Sequence, residues 1–162
     1  MANNIQRLTR IGVIGAGACP ADVADQAKAV GRLIARRGWV LLCGGLGGVM
    51  EAACHGAVEE GGLTVGILPG REATSANPYV RLSIPTGLDY ARNVVLVRAS
   101  QALIAISGEY GTLSEIAIGL KLARPIAALG SWPVIEGLGQ ASSPEEAVEY
   151  VAQRLKEKSG SE

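Results

Sequence analysis

Short apolar runs alternate along the chain with longer segments in which apolar residues recur every three or four positions. Nearly all of the short runs are continuously apolar, without the in/out alternation of a half-exposed strand. This pattern is typical of strands that are buried on both faces. We therefore predict strands at Ile11–Ile14, Trp39–Cys43, Leu63–Leu68, Val80–Ile84, Ala102–Ile106 and Pro125–Leu129.

The longer segments predict helices. In Ala21–Arg37 the apolar positions lie 4, 3 and 4 residues apart on one face, and Gly38 suits the C′ position that ends a helix. The last helix is predicted over Pro144–Lys158, with a proline at its first position. Ser143 can cap this helix, and Glu146 completes a capping box.

The alternation of strands and helices predicts right-handed crossovers and a parallel sheet with helices on both faces, which is an α/β fold. The chain shows no internal repeat and no linker. We expect one domain over residues 1–162, frayed at residues 1–9 and 159–162. Gly130–Ser143, which contains glycine and serine, is predicted to be a connection.

Two predicted helices are more apolar than the surface of a monomer allows. Asn93–Ala99 and Leu113–Ala123 have apolar groups on more than one stripe. Such helices are buried by a further element. We expect a second copy of the chain to cover them, in a homodimer or a homotetramer.

Composition and charge narrow the class of protein. The 162 residues are 48% hydrophobic but only 4% aromatic, so small aliphatic side chains must fill the core. The net charge of zero argues against a nucleic-acid or anionic-membrane partner. No apolar run reaches the roughly 20 residues that cross a bilayer, and the N-terminus lacks a secretory signal. We expect a cytoplasmic protein with free thiols and no metal site, since the cysteines and His55 lack metal-ligand spacing.

Three glycine-bearing turns follow predicted strands, at the edge where an open parallel sheet binds ligands. Gly15–Gly17 follows the first strand, Gly44–Gly48 the second and Ser107–Thr112 the fifth. Glycine permits positive φ and brings backbone amides close to a ligand, while helix N-termini add unpaired N–H donors. We predict an anion-binding cleft where these turns meet. Neither a P-loop nor a dinucleotide-binding fingerprint is present.

Two charged residues stand near these turns. Glu115 either completes a capping box with Thr112 or acts as an electrostatic group or general base, and the spacing leaves both open. Near a helix N-terminus its ionised form is favoured. Arg92, just before an apolar helix, is either a solvated arginine or a planar donor to phosphate. Asn93 and Arg98 are weaker candidates.

As an ordered set, the motifs resemble the LONELY GUY-like superfamily over about Ile11–Leu129, and most of all its short branch related to molybdenum cofactor carrier proteins. A more distant likeness is to the Rossmann domain of DNA-processing protein A. The resemblance implies a Rossmann-like, three-layer α/β/α fold with a mostly parallel sheet of about six or seven strands. It also implies a homo-oligomer with the site near a subunit interface. The motifs are Gly44-Gly45-Leu46-Gly47-Gly48-Val49-Met50, Gly66-Ile67-Leu68-Pro69, the arginine-led helix and Gly111-Thr112-Leu113-Ser114-Glu115.

In the enzymes of this superfamily, a P-G-G-x-G-T-x-x-E motif and an upstream arginine bind a nucleoside 5′-monophosphate, whose N-glycosidic bond is hydrolysed. The resemblance maps the motif onto Ser107–Glu115 and the arginine onto Arg92. If the chain is an enzyme, Glu115 would hold the ribose hydroxyls or orient water, and Arg92 would stabilise charge. The implied ligand-binding or phosphate-binding residues are Gly15, Gly17, Gly44, Gly45, Gly47, Gly48, Met50, Arg92, Gly108, Glu109, Tyr110, Gly111 and Thr112.

The chain departs from this motif at two positions. Ser107 replaces the proline, which we expect to be a mild change. Glu109 replaces the second glycine, and like charges ~4 Å apart repel by about 4 kcal/mol at an effective dielectric constant of about 20. A side chain is also disfavoured wherever this turn requires positive φ. The change at Glu109 weakens the case for catalysis but leaves the fold and the cleft unaffected.

Two functions remain. The first is a cytosolic carrier that binds a phosphorylated nucleotide-like or pterin-like anion, such as molybdenum cofactor, without turnover. The resemblance to the short branch of the superfamily and the replacement of a glycine by Glu109 favour this function. The second is a phosphoribohydrolase acting on a purine nucleoside 5′-monophosphate, favoured by Arg92 and Glu115. Neither requires a resident cofactor, and nucleotide, phosphate and molybdenum cofactor are the candidate bound molecules.

Two other functions find no support in the residues. Single-stranded DNA binding is disfavoured by the zero net charge and the few aromatic residues. The superfamily label "lysine decarboxylase" has no support either, because every lysine falls in a predicted helix and none on a glycine turn, where it could anchor pyridoxal phosphate.

Overall fold

The computed structural model describes residues 7–132 and 135–160, and the terminal stretches predicted to fray lie partly outside these ranges. Within them the chain forms seven strands and five α-helices. The strands are β1 (Arg10–Gly15), β2 (Val40–Cys43), β3 (Thr64–Leu68), β4 (Leu82–Pro85), β5 (Ala102–Ile106), β6 (Ile126–Leu129) and β7 (Gly139–Ala141). The helices are α1 (Ala21–Arg36), α2 (Val49–Glu59), α3 (Arg92–Ala99), α4 (Tyr110–Lys121) and α5 (Pro144–Ser159).

The strands form one sheet in the order β4-β3-β2-β1-β5-β6-β7, and every neighbouring pair is parallel. The strand order reverses between β1 and β5. Helices α1, α2 and α5 cover one face of the sheet, whereas α3 and α4 cover the other. The predicted Rossmann-like α/β/α fold with a parallel sheet is confirmed.

Most strands are buried on both faces, as their unbroken apolar runs predicted. Every residue of β2, β3, β5 and β6 is buried. The exceptions are the two edge strands: Leu82 and Ile84 of β4 are exposed, and no residue of β7 is fully buried. Strand β4 begins at Leu82 instead of Val80, since the Arg81 amide bonds to the side chain and the carbonyl oxygen of Thr64 before the regular ladder begins.

Strand β7 lies within the segment that we predicted to be a connection. It is three residues long, and Gly139 pairs in parallel register with Ala127 of β6. Its sequence, Gly139-Gln140-Ala141, has no apolar run. The pairing of β7 therefore depends on the edge that β6 offers, which the local sequence of β7 does not reveal.

The helices follow their predicted signals closely. Helix α1 ends at Arg36, and Gly38 has the positive φ of +70° expected at its C′ position. At α5 the Glu146 amide donates to Ser143 Oγ over 3.1 Å, as in a capping box. The Glu146 carboxylate, however, accepts from the amide of Ser142 and not from that of Ser143.

Glycine at a helix crossing allows the helices to pack closely in this core, which has few aromatic residues. Helices α1 and α2 cross at Gly31, where an added Cβ would lie 1.9 Å from the carbonyl oxygen of Ala53. Small residues at such crossings let the backbones approach closely. This packing holds α2, and the turn that precedes it, firmly on the sheet.

Candidate functional site

A cavity of about 240 Å³ lies at the carboxyl ends of β1, β2 and β5. This is where the strand order reverses, the position at which open α/β sheets bind ligands. All three glycine-bearing turns contribute to its wall, so the structure brings them together. The lining residues are Val13, Ile14, Gly15, Ala16, Gly17, Gly44, Leu46, Met50, Tyr90, Arg92, Asn93, Glu109, Gly111, Thr112 and Glu115.

The first two turns interlock at Gly48, the residue before α2. Gly48 has φ +62° and ψ −126°, and a Cβ there would lie 2.3 Å from the carbonyl oxygen of Ala16. The same oxygen accepts a 3.0 Å hydrogen bond from the Val49 amide. Gly48 therefore fixes the contact between the turns and does not itself line the cavity.

The third turn leads into α4, which begins at Tyr110. The Leu113 amide, bonded to the Glu109 carbonyl oxygen over 3.0 Å, is the first that the helix pairs. The amides of the preceding residues, among them Gly111 and Thr112 of the cavity wall, have no acceptor within the helix. These amides are the main-chain donors that the glycine pattern predicted.

The backbone of this turn differs from that of the family motif. Ser107 has φ +52°, which proline cannot adopt because its ring fixes φ near −65°. The expectation that the Ser107 replacement is mild is therefore wrong. Glu109 has φ −117° and ψ −156°, an extended conformation open to any residue, so the side chain at this position introduces no strain.

Glu109 places a negative charge beside the N-terminus of α4. It lines the cavity and is exposed, and its carboxylate has no hydrogen bond or ion pair within the described part of the chain. A phosphate placed there would gain about 0.3–1 kcal/mol from the helix dipole. The Glu109 carboxylate would repel such a phosphate, although solvent screens the repulsion because the side chain is exposed. The like charge therefore opposes the binding of a doubly charged phosphate at this turn.

Glu115 is a buried carboxylate in the cavity wall and does not cap α4. The helix begins two residues before Thr112, so Thr112 is not the capping residue and the capping-box alternative is wrong. Glu115 is only 7% exposed, and its burial raises its pKa to about 7, although Arg92 acts in the opposite direction. The expectation that its ionised form is favoured is also wrong, because the loss of hydration outweighs the helix terminus.

Arg92 is the first residue of α3, and its side chain contacts the second glycine-bearing turn. Its Nη1 donates to the carbonyl oxygens of Gly44 and Ile67, each over 2.7 Å. A Cβ on Gly44 would lie 2.2 Å from Nη1, so only glycine leaves room for the guanidinium. The Nε atom is buried without a hydrogen-bond partner in the described residues. Such an orphaned donor can be satisfied by a ligand or by ordered water.

Other residues complete the wall. Asn93, a weaker candidate, lines the cavity and its Nδ2 donates to Ser114 Oγ over 3.0 Å. Arg98 is exposed and does not line it. Tyr90 and Leu46 line the cavity but were not among the candidates. Leu46 lies inside a glycine motif and could have been found, whereas nothing in the local sequence singles out Tyr90.

The predicted binding residues divide into two groups. Those that line the cavity are Gly15, Gly17, Gly44, Met50, Arg92, Glu109, Gly111 and Thr112. Those that do not are Gly45, Gly47, Gly48, Gly108 and Tyr110. The second group shapes the turns or faces away; Tyr110, for example, is 81% exposed.

The thiols and amines lie outside the cavity wall. Cys43 and Cys54 are buried, with their Sγ atoms 3.4 Å apart, and Cys43 Sγ accepts from the Gly45 amide over 3.3 Å. In the described ranges no three metal-ligating side chains form a cluster. Within the same ranges no helix is long and apolar enough to cross a membrane. All four lysines lie in helices, and none lines the cavity.

Comparisons with known proteins agree with this architecture. The molybdenum cofactor binding protein of Rippkaea orientalis has a TM-score of 0.86 and 38% identity, covering 92% of this chain and 98% of that one. The Moco carrier protein of Chlamydomonas reinhardtii has a TM-score of 0.85 and 34% identity, with coverage of 93% and 99%. A protein of Archaeoglobus fulgidus is 50% identical over 144 residues, which are 89% of this chain and 95% of the relative.

DNA processing protein A of Streptococcus pneumoniae, at 16% identity and a TM-score of 0.70, shares the fold alone. The model of the SLOG cluster4 family matches residues 8–158, nearly the whole described chain. The branch of the superfamily inferred from the motifs is thereby confirmed. The chain belongs to the SLOG cluster4 family.

Proposed function

We propose that this protein is a cytoplasmic carrier that binds molybdenum cofactor, or a chemically similar phosphorylated pterin or nucleotide, without converting it. The observation on which the proposal depends is the cavity at the strand switch point, in a chain 38% and 34% identical to two molybdenum cofactor proteins over nearly their whole length. Both identities and coverages are high enough to support a related ligand as well as a shared fold.

The charges of the wall support holding a ligand without turnover. Arg92 is the single cation among the described lining residues, and its Nη1 already bonds to two carbonyl oxygens. Glu109 stands where the hydrolases of the superfamily have a phosphate-binding glycine. A phosphate group is better accommodated near Arg92 and the N-terminus of α2 than at α4.

A phosphoribohydrolase is the second candidate. One observation favours it: Glu115 and Arg92 line the same cavity, and the Glu115 pKa of about 7 suits a group that exchanges protons near neutral pH. Such a group could activate water at a glycosidic carbon. The altered third turn weighs against this function.

The first prediction separates the two functions with a matched pair of arginine variants. Molybdenum cofactor, released anaerobically from a denatured molybdoenzyme, is mixed with protein, and molybdenum is quantified in the protein fraction after gel filtration. We expect molybdenum to elute with the wild-type protein and with the Arg98→Ala variant, but at least tenfold less with Arg92→Ala. Arg98 lies in the same helix as Arg92 but outside the cavity wall, so it controls for the loss of one charge.

Parallel incubations with AMP and GMP test the alternative. Release of free base by the wild-type protein, abolished by Arg92→Ala or by Glu115→Gln, would establish hydrolysis and overturn the carrier proposal. Equal molybdenum retention by the wild-type and Arg92→Ala proteins would overturn the role of this cavity.

We further propose that a second copy of the chain covers α3 and the mouth of the cavity, in a homodimer or homotetramer. Val94 and Val95 of α3 are 40% and 37% exposed, and Tyr90, which lines the cavity, is 88% exposed. Exposed apolar side chains grouped in this way are typical of an interaction surface. The cavity of about 240 Å³ is smaller than the roughly 300–1,000 Å³ of most ligand pockets, as expected if a partner completes it.

The second prediction concerns this interface. We expect Val94→Asp to reduce the molar mass measured by light scattering to that of a monomer, because burying an unpaired carboxylate at an interface is costly. Leu63→Asp is the control, since Leu63 is equally exposed, at 40%, but lies at the amino end of β3. A wild-type protein that is monomeric at micromolar concentration would contradict the prediction.

A further inference from the structure

The Glu109 carboxylate, beside the N-terminus of α4, lacks the hydrogen bonds that the Glu146 carboxylate makes at the N-terminus of α5. The Glu146 carboxylate at α5 accepts from the amide and the hydroxyl of Ser142. The Glu109 carboxylate makes no such bond within residues 7–132 and 135–160, yet it lines the cavity, one residue before α4. Its extended backbone is open to any residue, so the side chain at this position introduces no backbone strain. A carboxylate without a partner, on a residue that lines a cavity, can accept hydrogen bonds from a ligand.

The charges near Glu109 determine which kind of hydrogen-bond donor its carboxylate can bind. Within the described residues Arg92 forms no ion pair with Glu109 or with any other carboxylate, and it bonds instead to backbone carbonyl oxygens. A ligand group at Glu109 must therefore supply its own N–H or O–H donors. A fully ionised phosphate has only acceptor oxygens and adds like charge, so it matches Glu109 poorly.

The rest of the wall suits a flat, largely apolar group. Leu46, Met50 and Tyr90 line the cavity together with the backbone of two glycine turns. Apolar side chains and a thioether pack well against the faces of a heterocycle, while a few polar groups fix its orientation. Glu109 and the α4 amides supply the polar groups at one edge of such a ring.

We propose that Glu109 recognises the 2-amino-4-oxopyrimidine edge that guanine and pterin rings share, and so selects the heterocycle and its orientation in the cavity. The edge presents a ring N–H next to an exocyclic amine, two parallel donors that match the two oxygens of one carboxylate. Adenine lacks this pair of donors: its ring nitrogen is an acceptor and would face the carboxylate unpaired. The heterocycle lies at α4, and any phosphate of the ligand lies towards Arg92 and α2.

This inference rests on the proposed function only in taking the cavity as the binding site, and it sets the ligand in a different orientation from that implied by the superfamily motif. In the enzymes of the superfamily, the phosphate occupies the turn that corresponds to the one before α4. In this chain the same turn would bind the base or pterin ring, because Glu109 occupies the position of a glycine.

The third prediction uses phosphate-free probes, so that ring recognition is measured alone. Guanosine, adenosine, 6-hydroxymethylpterin and inorganic phosphate are titrated into the full chain by calorimetry. We expect guanosine or 6-hydroxymethylpterin to bind at least tenfold more tightly than adenosine, and the tighter of the two to identify the ring. Glu109→Gln should abolish this preference and strengthen the binding of inorganic phosphate several-fold.

Glu145→Gln is the matched control, because Glu145 is also an exposed acid at a helix N-terminus, in α5, but lies outside the cavity. It should retain the preference of the wild-type protein. Equal affinity for guanosine and adenosine, an unchanged preference in Glu109→Gln, or no binding of any probe would overturn the inference. Retention of molybdenum is measured separately from the preference for guanosine or pterin over adenosine. The carrier proposal can therefore fail while the ring preference is observed, and the ring preference can be absent while molybdenum is retained.

Discussion

Replacing Glu115 with glutamine should stabilise the protein at alkaline pH. In the folded chain burial raises the pKa of Glu115 to about 7, from an ordinary value of 4.5. Between these two pH values the folded state binds more protons than the unfolded state, so its stability falls as the pH rises through this window and levels off above it. At about 1.4 kcal/mol for each pKa unit, the ionised carboxylate costs the fold about 3 kcal/mol.

Urea unfolding of the wild-type and Glu115→Gln proteins at pH 5 and pH 8 measures this effect. We expect the advantage of the variant to be about 2.5 kcal/mol larger at pH 8 than at pH 5, because the unfolded chain is already mostly ionised at pH 5. Glu109→Gln makes the same chemical change at an exposed residue of the same cavity wall and is the control for the loss of a carboxylate. A Glu115→Gln advantage that is the same at both pH values would mean that Glu115 is not desolvated as the structure indicates.

The second large effect is expected at Gly48. Gly48→Ala would place a Cβ 2.3 Å from the Ala16 carbonyl oxygen, at a residue with φ +62°. Backbone strain of about 1–3 kcal/mol adds to an overpacking cost of about 1–3 kcal/mol, because the three atoms nearest to this Cβ are backbone atoms that cannot rotate away. We expect destabilisation of about 3 kcal/mol or more, with loss of ligand binding, since the first two turns would separate.

Gly17→Ala provides the comparison within the same pair of turns. A Cβ at Gly17 would meet no atom within 4 Å, so we expect its unfolding midpoint in urea to remain near that of the wild-type protein. If Gly48→Ala and Gly17→Ala unfold at the same urea concentration, the interlocked turns do not have the rigidity that we assign to them.

The fold could be predicted largely because its signals are local. The buried strands are continuous apolar runs, and the ends of α1 and α5 are marked by Gly38 and Ser143. Strand β7 could not be predicted, since Gly139–Ala141 forms a strand only because β6 offers it an edge. Tertiary context there overrides a sequence without β propensity.

The site was predictable in its location but not in its chemistry. Three glycine turns after three strands indicate one shared edge of the sheet, because parallel strands end together. The state of Glu115 depends on burial by distant segments, which spacing does not report. The positive φ of Ser107 and the exposed position of Tyr90 likewise arise from the assembled fold.

Because the strand order reverses between β1 and β5, the wall of the cavity comes from two consecutive parts of the chain, one before β5 and one after it. Arg92 and the first two turns precede β5, whereas Glu109 and Glu115 follow it. In the proposed binding mode, the charged end of the ligand and its ring are thus recognised by two separate, consecutive segments of the chain.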